Sequence, residues 1–159
     1  MTKRTTLSAL FALALLAAVP QAQAQTDLSI GPRVGYETDS ENLFIGGDAR
    51  IGVEAVPVRI NPTFDYFFVD GDVTLFQITG NALYEFGIDN TTFTPYAGAG
   101  LSYLRFSIGD VSDSDVGLNL LGGAEFTNVG GFVPFVQGEF VVGGDTSPFK
   151  ITGGLLFDV

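Results

Sequence analysis

From residue 25 to its end the chain alternates apolar and polar side chains with a period of two, and it does so eight times. That period places successive side chains on opposite faces of an extended strand. It predicts strands over roughly 28–37, 43–55, 57–69, 73–86, 94–106, 115–126, 132–143 and 148–158. Clusters of turn-forming residues separate them: 38–42, Asp70-Gly71-Asp72, Asp89-Asn90, 109–114, 128–131 and 144–147. The tightest link is Ala55-Val56-Pro57, where proline must open the next strand or break the previous one. No stretch past the leader keeps a helical period. The fold expected is all-β, an antiparallel up-and-down meander.

Sorting each strand by parity gives two chemically distinct faces. One carries Ile30, Val34, Tyr36, Ile45, Ile60, Phe64, Tyr66, Phe76, Ile78, Tyr84, Leu101, Leu118, Leu120, Phe140, Ile151 and Phe157, with Arg105 its single charge. The other carries Arg33, Glu37, Asp48, Arg50, Glu54, Arg59, Asn61, Asp65, Gln77, Asn81, Glu85, Asn119, Glu125, Gln137, Glu139 and Lys150.

Alternation alone does not say which face turns inward. A soluble barrel hides the apolar face; a membrane barrel gives it to lipid. Large aromatics of the apolar face crowd towards strand ends, as interfacial girdles do: Tyr36, Phe68, Phe76, Tyr84, Phe86, Tyr103, Phe126 and Phe157. Gly and Ala fill its middle (Gly47, Ala49, Gly80, Ala82, Ala97, Ala99, Gly122, Ala124), which would underfill a soluble core. Most bases of the mature chain sit among carboxylates on the polar face, and tryptophan is absent. Eleven residues at about 3.3 Å rise and about 40° tilt span roughly 28 Å, enough for a membrane-barrel apolar band. The reading is an eight-stranded antiparallel up-and-down transmembrane β-barrel, with a soluble periplasmic lipid-binding barrel as the alternative.

Residues 1–24 read as a cleaved signal peptide: Lys3 and Arg4, an apolar run from Leu7 to Val19, then Ala22-Gln23-Ala24 at the cleavage site. The run is too short to span a bilayer as a helix. The barrel domain is then 25–159, and it keeps five bases against 18 acids. Such acidity argues against nucleic acid as a partner. With no Cys and no His, disulfide scaffolds, zinc-thiolate sites and Ser-His or Cys-His catalysis are excluded. No enzyme activity and no cofactor are expected.

The stretch Thr94-Pro95-Tyr96-Ala97-Gly98-Ala99-Gly100-Leu101-Ser102-Tyr103 and the last strand resemble the small eight-stranded outer-membrane barrels of the outer-membrane-protein-A-like, X-like and opacity types. The resemblance covers 26–159 and implies the outer membrane of a Gram-negative bacterium. It also implies a C-terminal assembly signal, whose places are taken by Thr152, Gly154, Phe157 and Val159. Val159 stands where the family usually ends in Phe. The implied partners are the barrel assembly machinery, outer-membrane lipid and lipopolysaccharide.

An eight-strand interior is just wide enough for side chains to fill. Hairpin arithmetic places Glu139 opposite Lys150, Glu54 near Arg59, and Arg33 near Asp48 with Arg50 diagonal to it. Asp65, Glu85 and Glu125 complete the expected lumen network, in which acids outnumber bases. A salt-bridged plug serving envelope structure or surface interaction is the reading; a narrow, porin-like cation-preferring pore is the alternative. With the N-terminus on the periplasmic side, the loops at 38–42, 70–72, 107–114 and 144–147 face outward and carry acids without a base. Asp110, Asp113 and Asp115 are the candidate divalent-cation ligands, although that loop lacks the central Gly and terminal Glu of a calcium loop.

Overall fold

The computed structural model describes residues 26–53, 56–89, 92–143 and 148–159. The leader, Glu54 and the 144–147 turn lie outside them. Eight strands follow in order: β1 Thr26–Glu37, β2 Asn42–Val53, β3 Val56–Phe68, β4 Val73–Glu85, β5 Phe93–Ile108, β6 Val111–Phe126, β7 Val133–Val142 and β8 Phe149–Asp158. Each pairs antiparallel with the next, and β1 pairs with β8, so the sheet closes on itself as an up-and-down barrel. Closure leaves no strand edge along the wall, which is how a β-structure avoids unpaired backbone in hydrocarbon.

The apolar parity faces out. Val34, Ile45, Ile60, Phe64, Ile78, Leu101, Leu118, Phe140 and Ile151 are all half or nearly half exposed, while Arg33, Arg50, Asp65, Asn61, Asn119 and Lys150 are almost fully buried. This is the reverse of a water-soluble core, and it rules out the lipid-carrier arrangement with the apolar face inside. Aromatic side chains gather at both rims and touch one another, as in Tyr66–Phe68 and Tyr84–Phe86, with ring centroids 5.9 and 5.2 Å apart.

Pro32 and Pro62 lie inside strands without shifting the register. Between β1 and β8 the pairs Ile30↔Phe157 and Arg33↔Gly154 keep step across Pro32. Between β2 and β3, Asp48↔Thr63 and Ile51↔Ile60 keep step across Pro62. Each proline, lacking an N–H, opens a gap in one ladder only. At Pro62 the gap is filled locally, because Asn61 Nδ2 donates to Ala49 O at 2.8 Å. The one register shift of that ladder falls instead at Gly52/Val53, beside the tight β2–β3 link.

The loop expected over 107–114 is mostly strand. β5 runs to Ile108 and β6 starts at Val111, with Gly109 at φ +55° in a two-residue turn. That conformation suits a tight hairpin. Ser112, Asp113, Ser114 and Asp115 are all polar, so the apolar–polar alternation stops here and the strand is defined by its ladder to β5. β6 meets β7 only from Leu118↔Val142 downward, so the upper β5–β6 hairpin rises above the described part of β7.

Candidate functional site: the charged lumen

Because parity turns every second side chain inward, the polar residues converge on the barrel axis from all eight strands. In the middle of the lumen three cations, Arg33, Arg50 and Lys150, meet three carboxylates, Asp48, Asp65 and Glu139. Arg33 forks onto Asp65, with Nε 3.0 Å from Oδ1 and Nη2 3.2 Å from Oδ2, and reaches Asp48 at 3.4 Å. Lys150 Nζ lies 2.8 Å from Glu139, its register partner on β7, and 3.5 Å from Asp65. It also donates to Gln77 at 3.2 Å.

Arg50 joins this centre to the end that carries the chain termini. Its Nε is 3.2 Å from Asp48, its Nη1 pairs with Glu125, and its Nη2 donates to Tyr96 Oη at 3.1 Å. The guanidinium is stacked between Tyr96 and Phe135, 4.6 and 4.5 Å from the two ring centroids. An arginine holds such a position because its planar fork satisfies carboxylates at its edge while its faces lie on rings. A bridge of carboxamides crosses the wall beside it. Asn61 donates to Asp48, Asn81 to Asn61, and Asn119 to Asn81, at 2.8, 3.3 and 3.3 Å.

Apolar side chains finish the filling, and these the strand-face reading left out. Phe44, Phe67, Leu83, Tyr96, Leu121, Phe135 and Leu156 share the inward parity and are buried. Three of the inward rings face a glycine across the ladder: Phe44↔Gly35, Tyr96↔Gly123 and Phe135↔Gly154. A Cβ built at any of those glycines would come within 2.6 Å of the ring. The aromatic therefore lies flat where no side chain competes for the space. An inward aromatic opposite a glycine is visible in sequence once the register is known.

At the termini end Arg59 is surrounded by carboxylates: Asp27 at 2.9 Å, Glu85 at 3.1 Å and Glu125 at 3.1 Å. Asp27 was missed because the first strand was expected to begin at residue 28. The Glu54 contact foreseen for Arg59 lies outside the described residues. At the opposite end Glu37 accepts from Ser40 at 2.7 Å. The acid excess thus sits at the two ends of the lumen, and the centre is balanced.

Asp110, Asp113 and Asp115 do not come together as a loop. Asp110 sits in the turn, and Asp113 and Asp115 lie along β6, each accepting from the next residue's N–H at 2.8 Å. Among the described residues no group of three His, Cys, Asp or Glu is placed to hold a metal ion. In the last strand Thr152 is buried in the lumen, while Phe157 and Val159 are exposed on the outer wall and at the chain end.

The fold, a closed eight-stranded up-and-down barrel with a polar lumen, is that of the small outer-membrane barrels. No protein-family model matches the chain, and no curated protein matches it in sequence. Solved structures do. The N-terminal barrel domain of OprF from Pseudomonas aeruginosa aligns with a TM-score of 0.64 at 16% identity, over 85% of this chain and 100% of that one. Neisserial surface protein A aligns with a TM-score of 0.65 at 15% identity, over 83% and 96%. Ail, the attachment invasion locus protein of Yersinia pestis, aligns at 0.57 and 18% identity, over 86% and 99%. These likenesses are of fold.

Proposed function

We propose that this protein is an exported, integral barrel of the Gram-negative outer membrane. Its lumen is closed by an ion-paired plug, and its role is structural or surface-interactive rather than enzymatic. The observation that carries the plug is the balanced centre: three cations and three carboxylates, all nearly fully buried, with aromatic rings packed above and below. A permeant ion would have to break charge-assisted contacts whose partners have no water to turn to, and breaking one buried pair costs about 3–5 kcal/mol. The strands supply the C-terminal assembly signal, Thr152, Gly154, Phe157 and Val159, for the machinery that inserts barrels.

Two measurements test this reading. Membrane fractions run on a gel with and without boiling should give an outer-membrane band that migrates faster unheated. In planar bilayers the folded protein should give no regular conductance steps. Cation-preferring steps from the unaltered protein would replace the plug with the narrow-pore reading. The carboxylates at the two ends, Glu37 on one side and Asp27, Glu85 and Glu125 on the other, favour that second reading.

A further inference from the structure

Arg105 is the one Arg or Lys among the described residues that does not enter the lumen. It is exposed on the outer wall of β5, and no described carboxylate lies within ion-pair distance of it. Across the ladder to β4 it faces Phe76, and on its β6 side its surroundings are hydroxyls. Across the ladder to β6 it faces Ser114, and its Nη2 reaches Ser112 Oγ at 3.5 Å. The Tyr103 hydroxyl below it interacts with both Arg105 and Ser114. Beside it, Ser107 pairs with Ser112 on β6 and with Thr74 on β4.

The height of this cluster is set by three strands at once. On β4 the outward parity runs Ala82, Gly80, Ile78, Phe76 and then Thr74. On β5 it runs Ala97, Ala99, Leu101, Tyr103 and then Arg105, and on β6 Leu120, Leu118, Val116 and then Ser114. On β5 and β6 the wall turns from apolar or aromatic to cation and hydroxyl at the Arg105↔Ser114 rung, and on β4, where Phe76 pairs with Arg105, it turns at the next outward pair, Thr74↔Ser107. Those rungs are where hydrocarbon gives way to headgroups, just beyond the aromatic rim. The nearby acids do not share this face: Asp113 and Asp115 alternate to the inner side of the hairpin, and Asp72 and Asp110 lie above it in turns.

We propose that Arg105, with Tyr103, Ser112, Ser114, Ser107 and Thr74, forms a docking patch for the phosphate of an outer-leaflet lipid headgroup. The inference rests on the outer-membrane reading above and adds a partner site to it. A guanidinium flanked by hydroxyl donors matches a phosphate's oxygens in charge and in hydrogen-bonding sense. On a chain this acidic an unpaired outward cation at headgroup depth has an anion of the membrane as its natural counterion. The acyl chains of such a lipid would lie along Leu101, Leu118 and Ile78 below the patch.

The test uses the folded protein in phosphatidylcholine vesicles, with and without added diphosphorylated lipid A, and follows the temperature at which the fast-migrating band is lost. The unaltered protein should gain a few degrees from lipid A and none from dephosphorylated lipid A. Arg105→Gln should lose that gain, Arg105→Lys should keep part of it, and Arg59→Gln, altered inside the lumen, should keep it all. Retention of the full gain by Arg105→Gln overturns the proposal. A gain reproduced by inorganic phosphate at the same phosphate concentration overturns it too, because the site would then take the free ion. A chain that never gives a fast-migrating band in any vesicle refutes the membrane reading itself, which is a separable failure.

Discussion

The centre of the lumen and its termini end are built from the same side chains and obey different electrostatics. Around Arg33, Arg50 and Lys150 each charge is opposed by another, and both partners of most pairs are shut off from solvent. Around Arg59 one cation faces three carboxylates, and its own side chain and theirs stay partly exposed. In the centre desolvation makes each pair indispensable to the other, so that losing one member strands a buried charge. At the end water and salt screen the excess, and the pairs are individually worth little. Counting ion pairs without asking where they sit would rank the two regions alike.

Substitutions separate them. The largest effect is expected from Arg50→Ala, which takes a buried cation away from Asp48 and Glu125, leaving them only Arg33 and Arg59, and empties the slot between Tyr96 and Phe135. Urea unfolding in detergent micelles should show a loss of about 3–5 kcal/mol, and bilayers should acquire cation-passing steps. Next comes Gly154→Val, which drives a side chain into the Phe135 ring, 2.5 Å from the position of its Cβ. Overpacking of this kind should lower stability by about 1–3 kcal/mol in the same titration, without the new conductance. Arg59→Gln should cost no more than about 1 kcal/mol, and the difference should shrink as salt is raised. A loss as large as that of Arg50→Ala, or one indifferent to salt, would erase the distinction between the two regions. Smallest is the joint change Lys150→Met with Glu139→Leu, which removes both charges of one central pair. It should leave the unfolding midpoint unchanged or slightly raised, whereas Lys150→Met alone should lower it clearly.

The wall of the barrel was legible from sequence because its information is local. Alternation assigns each side chain to a face from its immediate neighbours, and contacts across one hairpin, such as Glu139 with Lys150, follow from counting back from a turn. The lumen was legible only in part, because several of its decisive contacts cross the barrel. Arg50–Glu125 joins β2 to β6, Lys150–Asp65 joins β8 to β3, and Arg33–Asp65 joins β1 to β3. These depend on strand tilt and closure, which no single hairpin encodes. The inward apolar residues are hidden in the sequence for a different reason. Phe44, Leu83, Phe135 and Leu156 share the parity of the charges but not their polarity, so only the closed register places them on the inner face. The hairpin above Ser107 has loop composition in sequence, since Ser112 to Asp115 are four polar residues in a row, and only its ladder to β5 makes it strand.

The alternation that makes the wall also shapes the unfolded chain. Past residue 25 its runs of consecutive apolar residues stay short, the longest being Tyr66-Phe67-Phe68-Val69. A segment of that kind offers an export channel nothing to release sideways as a spanning helix, because insertion is decided on about 19 residues averaged together. The continuous apolar surface of this protein therefore does not exist in the linear polymer. It appears only when eight strands meet and sort their side chains into an outside and an inside.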